Sequence, residues 1–486
     1  MRSALLLLAN AIILLASKVN AFVHPIEIFG KFFVDSITKQ PFFLKGLDYQ
    51  PGGAAAVNSK EDVLSNPQKC ARDILLMQDL GVNTIRVYSV NPDLNHDVCM
   101  TMLAASGIYL VLDVNSPLQG QHLNRYEPWT TYTTSYLEHV FKVVDVFSKY
   151  NNTLAFFAGN EVINDKRSAR NAPPFVKQLI SDIKQYMAKH SPRNVPVGYS
   201  AADDLDYRVS LSKYLECEHQ AFPNGSVDFY GINTYQWCGH QTFESSGYDK
   251  LTKAYHDYTK PVFFSEFGCN EVVPRQFEEI EAMFSPQMFT TFSGGLIYEY
   301  SLEPNNYGIV KIDETKKTVT LLDDYKILKA MYHKVQIPTS EEVINELNNS
   351  ENPSSFKNLP KSSTCESEYK NIEITKEPSS AMGKEFIIHG MDMTHKPNFL
   401  DLNDDDFVIE DYKIFDIDGK TEYIKPSNMR VSKTIEIFEI TEFERERIQH
   451  NKDKNASNVN NANINFMYGA TAISILLPLW IVFKNQ

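Results

Sequence analysis

The chain is 486 residues long, 43% hydrophobic and 12% aromatic, enough to bury one large globular core. Its formal net charge of −14 argues against a nucleic-acid partner. The excess is uneven: positions 366–454 hold 21 acidic and 13 basic side chains, so more than half of it sits in a C-terminal tail.

Residues 1–21 carry a lone Arg2, an apolar run from Ala4 to Ala16 and the small-x-small site Val19-Asn20-Ala21. That layout is a secretory signal cleaved before Phe22, and its apolar run is too short to span a bilayer. From Phe42 onward, strand-like apolar runs alternate with helical stretches. Eight strands are predicted, at 42–49, 82–88, 108–114, 154–161, 195–200, 229–235, 262–266 and 294–300. Most are continuous apolar runs, as strands buried on both faces should be. Between them, Asn66-Pro67 opens a helix that Gly81 closes, and 132–150 and 174–190 read as the longest helices. A last helix at 323–335 completes an α/β fold, a (β/α)8 TIM barrel over residues 22–335.

After Ile337 the composition turns to Ser, Asn, Glu and Pro. Residues 336–370 read as a linker, and 371–465 as an acidic, Asn-rich, loosely ordered extension. The short patches Phe386-Ile387-Ile388 and Val408-Ile409 leave a small β appendage as the alternative, and Asp404-Asp405-Asp406 reads as a solvated acidic face. Residues 466–486 are apolar again, behind a small-residue, Asn-rich spacer. A GPI-attachment signal fits this pattern, with Asn455, Ser457 or Asn461 as the attachment residue. A transmembrane helix ending in Lys484, Asn485 and Gln486 is the competing reading. Under either, the body faces outward from a plasma membrane.

Six cysteines in a secreted chain imply three disulfides. Cys70 and Cys99 fall on the first two predicted helices, neighbours on a barrel's outer ring. Cys238 and Cys269 follow the sixth and seventh strands in adjacent loops, which leaves Cys217 for Cys365 and ties the linker back to the barrel. Asn151, Asn224, Asn348 and Asn455 begin Asn-x-Ser/Thr sequons for N-glycosylation.

Barrel chemistry sits at the C-terminal ends of the strands. In order these ends deliver Tyr49 and Gln50, Tyr88, Asp113, Asn160 and Glu161, Tyr235, Glu266, and Tyr298 with Glu299, while Asp203 and Asp204 follow the fifth strand. Glu161 and Glu266 lie 105 residues apart, about three βα units of some 30 residues each. Two carboxyls on opposed strands are what a retaining glycosidase needs, and tyrosines supply flat faces and hydroxyls for sugar rings. Asn160 beside Glu161 is placed to bond a sugar 2-hydroxyl, which makes Glu161 the acid/base and Glu266 the nucleophile. No metal or cofactor enters this chemistry.

The motifs YQPGG at Tyr49–Gly53, RVYSV at Arg86–Val90, GNE at Gly159–Glu161, GINTYQWCG at Gly231–Gly239, FSEFGCN at Phe264–Asn270 and GLIYEY at Gly295–Tyr300 resemble glycoside hydrolase family 72. These are the fungal cell-wall β-1,3-glucanosyltransferases. The resemblance implies an enzyme that cleaves a β-1,3-glucan donor internally and joins the retained segment to the non-reducing end of an acceptor glucan. It also implies substrate contacts at Gln50, Tyr88, Asp113, Asn160, Tyr235, Tyr298 and Tyr307, to which the strand-end reading adds Asp203. With no cysteine after Cys365, the chain resembles the shorter subfamily that lacks a cysteine-rich carbohydrate-binding module. A hydrolase, or a non-catalytic glucan-binding wall protein, are the alternatives.

Overall fold

The computed structural model describes residues 23–349, 364–373, 378 and 382–434. The expected signal at 1–21, the apolar segment 466–486, Asn455 and the other two candidate attachment residues lie outside the described residues. Among the described residues no helix is long and apolar enough to cross a membrane.

The described chain opens with an antiparallel hairpin, β1 (Ile26–Phe29) and β2 (Phe32–Asp35). Eight parallel strands then close a barrel. They are β3 (Leu44–Asp48), β4 (Thr84–Val87), β5 (Tyr109–Asp113), β6 (Thr153–Asn160), β7 (Val197–Ala201), β8 (Phe229–Thr234), β9 (Val262–Phe267) and β10 (Phe292–Ile297), with β10 returning to β3. Each coincides with a predicted apolar run. Phe33 of the hairpin lies 5.7 Å from the ring of Phe229 and 5.9 Å from that of Phe263. Those residues begin β8 and β9, so the hairpin plugs the end of the barrel opposite the one where the strands finish.

Local chemistry sets the helix limits. Helix Pro67–Leu80 is capped by the Asn66 side chain, which accepts from the Lys69 N–H, and it ends on Gly81 at φ 77°, a conformation glycine adopts without a Cβ clash. Its inward stripe buries Cys70, Ile74, Met77 and Leu80 at helical spacing. Cys70 is joined to Cys99 on helix Asp97–Ala105, with 5.6 Å between the Cα atoms. Cys238 is joined to Cys269 between the loops after β8 and β9, and Cys217 to Cys365 across 148 positions.

Behind the barrel come β11 (Val310–Asp313) and β12 (Thr318–Leu321), paired antiparallel, and helix Asp323–Lys334. Part of the stretch expected as linker is a helix, Ser340–Asn349, which buries Val343 and Leu347 one turn apart. Among its described residues the extension has little regular structure, and its apolar patches are anchored. β13 (Lys413–Phe415) adds in parallel to β12, with Val319 opposite Ile414. Ile387, Phe407, Ile409, Tyr412, Met429 and Val431 are buried in the same core as the barrel. Asp404, Asp405 and Asp406 stay exposed, with Arg430 and Lys433 beside Asp404. Of the described sequon residues, Asn224 and Asn348 are exposed and Asn151 is half-buried.

Candidate active site

Glu266 stands near the end of β9, with its Cα opposite Asn233 of β8. Three donors converge on its carboxylate. Arg86 Nη1 (3.2 Å) and the Tyr88 hydroxyl (2.9 Å) reach Oε1, and the Tyr235 hydroxyl (2.8 Å) reaches Oε2. Burial pushes the Glu266 carboxyl up from 4.5 to about 7. The Arg86 charge opposes that rise, the Glu161 charge adds to it, and the two tyrosine hydrogen bonds lower it.

Arg86 is fully buried and gripped by Asp113, whose two oxygens accept from Nε and Nη2 at 3.0 Å each. Its guanidinium lies 4.3 Å from the Tyr88 ring centre and 4.6 Å from that of Phe157. A fixed bidentate pair of this kind keeps the cation beside Glu266. Asp113, expected to touch substrate, spends both oxygens on this grip.

Glu161 follows β6 at φ 49°, a left-handed backbone that costs a residue with a Cβ about 1–2 kcal/mol. Its N–H donates to the Ser200 carbonyl (2.9 Å), which holds the turn in place. The turn delivers the Glu161 side chain to Asn233, whose Nδ2 donates to Glu161 Oε1 at 2.8 Å and to Asn160 Oδ1 at 3.3 Å. Asn233 Oδ1 in turn accepts from the Ser200 and Ser265 hydroxyls. Sequence reading passed over Asn233. The signal was there: Asn233 and Tyr235 are two apart at the end of β8 and so share the face that looks at Glu266.

The remaining residues divide into two groups. Gln50 is buried and uses its amide on backbone, accepting from the N–H groups of Tyr88 and Ser89 and donating to the Ser89 carbonyl. Asp203 accepts from Arg208 (2.8 Å) and from the Tyr235 N–H (2.9 Å), so it too holds a tyrosine. Tyr298 and Tyr307 are half-buried and belong to one aromatic group. Ring centres are 5.2 Å apart for Tyr298 and Tyr307, 5.5 Å for Tyr235 and Tyr307, and 6.3 Å for Tyr88 and Tyr298, all steeply inclined. The arrangement is a sugar-sized aromatic wall beside a buried carboxylate, with a second, more accessible carboxyl held by an amide.

The family profile described as Glucanosyltransferase matches residues 15–336. The chain belongs to this family. It is 52% identical over 434 residues to the 1,3-beta-glucanosyltransferase GAS4 of Saccharomyces cerevisiae, covering 89% of each chain. It is 49% identical over 330 residues to the 1,3-beta-glucanosyltransferase gel2 of Aspergillus fumigatus, covering 68% of each. A solved structure of Saccharomyces cerevisiae Gas2p, a Glu-to-Gln mutant in complex with laminaritetraose and laminaripentaose, superposes with a TM-score of 0.63 at 37% identity, over 74% of this chain and 75% of that one. As a family member the chain is a transglycosylating enzyme on a TIM barrel, and all the site residues above fall inside the matched region.

Proposed function

We propose that this protein is a cell-wall β-1,3-glucanosyltransferase that works with retention through Glu161 and Glu266. Glu266 attacks the anomeric carbon of an internal glucose in a β-1,3-glucan donor while Glu161 protonates the departing glycosidic oxygen. The donor's original reducing-end fragment leaves with that proton, and the segment carrying the new reducing end remains as a glycosyl ester on Glu266. Glu161, now a carboxylate, takes the proton from the 3-hydroxyl at the non-reducing end of an acceptor glucan. That oxygen attacks the same carbon, the ester bond breaks, and the product is longer with its β linkage kept. The observation that carries this reading is the unequal treatment of the two carboxyls: Glu266 is buried under three donors, whereas Glu161 is half-buried and held by Asn233.

Secretion by the 1–21 signal and exchange of 466–486 for a GPI anchor would hold this barrel at the outer face of the plasma membrane, within reach of wall glucan. The test is to incubate the purified protein with a reduced laminari-oligosaccharide and size the products. Products longer than the donor are expected, and Glu161→Gln and Glu266→Gln each lower their rate at least about a hundredfold. Only shorter products would make the protein a hydrolase, and no products from the parent would remove the enzymatic reading.

A further inference from the structure

Arg275 lies in the segment after β9, only 2% exposed, and touches neither carboxyl of the pair. Its Nε donates to Asp324 Oδ2 at 2.6 Å, and its own backbone N–H donates to Asp324 Oδ1 at 3.0 Å. Asp324 sits in the first turn of helix Asp323–Lys334, where an anion suits the helix dipole. The guanidinium's other nitrogens reach three backbone carbonyls. Nη1 donates to Gly268 O (3.2 Å) and Tyr298 O (2.6 Å), and Nη2 donates to Tyr307 O. Gly268 has φ 109°, a backbone shape that glycine adopts without a Cβ penalty.

One buried cation thus joins the end of β9, the end of β10 and the loop carrying Tyr307. On the opposite side Asn305 Nδ2 bridges the Tyr298 hydroxyl (3.2 Å) and Glu299 Oε1 (2.8 Å), and Asn270 donates to the Asn305 carbonyl. Tyr298 and Tyr307 are gripped by their own backbone while their rings lean on Tyr235, whose hydroxyl is on Glu266. We propose that Arg275, paired with Asp324, is a positioning residue for glucan binding, fixing Tyr298 and Tyr307 as a preset sugar platform beside the nucleophile. The proposal rests on the glucanosyltransferase reading for its choice of ligand.

The physics is preorganisation. A flat sugar face gains most from rings that are already ordered, because their loss of freedom is settled before binding. A lysine at 275 keeps the charge but has no planar fork, so it cannot serve Asp324 and three carbonyls together.

The test uses the full chain with Arg275→Lys, Tyr298→Ala/Tyr307→Ala and the combined variant, and steady-state kinetics on a reduced laminari-oligosaccharide. Arg275→Lys is expected to raise KM about tenfold with kcat within about threefold, as lost platform geometry should. If Arg275 acts through the two rings, the same change made in the Tyr298→Ala/Tyr307→Ala background moves KM less than about twofold. KM effects that multiply, or a lower Tm with KM unchanged, would overturn the proposal. Asp324→Asn, which leaves Arg275 in place, should shift KM in the same direction and carries the test if Arg275→Lys fails to fold. Calorimetric Kd values for the oligosaccharide on a Glu266→Gln background should follow the same pattern. They separate this proposal from the transferase reading, since binding is measured there without turnover.

Discussion

In the proposed mechanism burial keeps water away from the attack by Glu266, yet burial alone would keep its proton on. The site answers with one cation and two phenols. Since the carboxyl sits at about 7, the acidic limb of kcat/KM should fall near neutral pH, activity rising as Glu266 loses its proton. Tyr235→Phe removes a donor to the charged form, so the limb moves to higher pH, by about one to two units if that bond is worth the usual 1.5–3 kcal/mol. A pH–rate profile checks it, and a limb that stays put or moves down would show that Tyr235 does not stabilise the carboxylate. Strand-end logic pointed to the two glutamates and to Tyr88, Tyr235 and Tyr298, because chemistry in a barrel is confined to those positions, whereas Tyr307 came with the family resemblance and Tyr49, also at a strand end, donates to Asp73 instead. It did not find that Gln50, Asp113 and Asp203 serve protein partners, nor that Asn233 holds Glu161. Those facts depend on which strand lies next to which, and a residue type at a strand end does not encode its neighbour across the barrel.

The elements were the most legible part, for a local reason. Apolar runs of strand length bounded by Gly, Pro and Asn leave few other structures open, and Asn66, Pro67 and Gly81 mark a helix by their own chemistry. Asn66→Ala should therefore cost about 1 kcal/mol, read as a lower midpoint in urea with an unchanged slope. A loss below about 0.3 kcal/mol would mean that the cap's partner at Lys69 is readily replaced by water. Helix Ser340–Asn349 was missed where composition was allowed to outweigh a motif. Thr339 and Glu342 form a capping box, the Glu342 N–H bonding Thr339 Oγ1 while its carboxylate takes the Thr339 N–H. Val343 and Leu347 follow at the spacing of one turn, so the signal was a cap plus a short stripe inside a polar stretch.

At the scale of the whole molecule, the acidic extension behaves as part of the catalytic domain's exterior. Its charge faces water, but its backbone is tied to the barrel's helices at separated points. Asn398 N–H bonds Asp97, Leu400 N–H bonds Thr101, and Ser432 exchanges two hydrogen bonds with Gln78. Between these ties, Phe407, Tyr412, Ile414 and Met429 cover apolar surface that a chain ending at Lys370 would leave wet. Each fully buried side chain of this kind contributes about 1.5–3 kcal/mol of apolar burial. A chain ended at Lys370 should accordingly melt at least about 4 °C below one ended at Thr434, with more aggregation on heating. Its KM for glucan should be unchanged, because no residue of the extension touches Glu161, Glu266 or the tyrosine group among the described contacts. Equal melting temperatures would reduce the extension to a passive spacer, whereas a raised KM would mean that it reaches the cleft and that glucan capture is shared beyond the barrel.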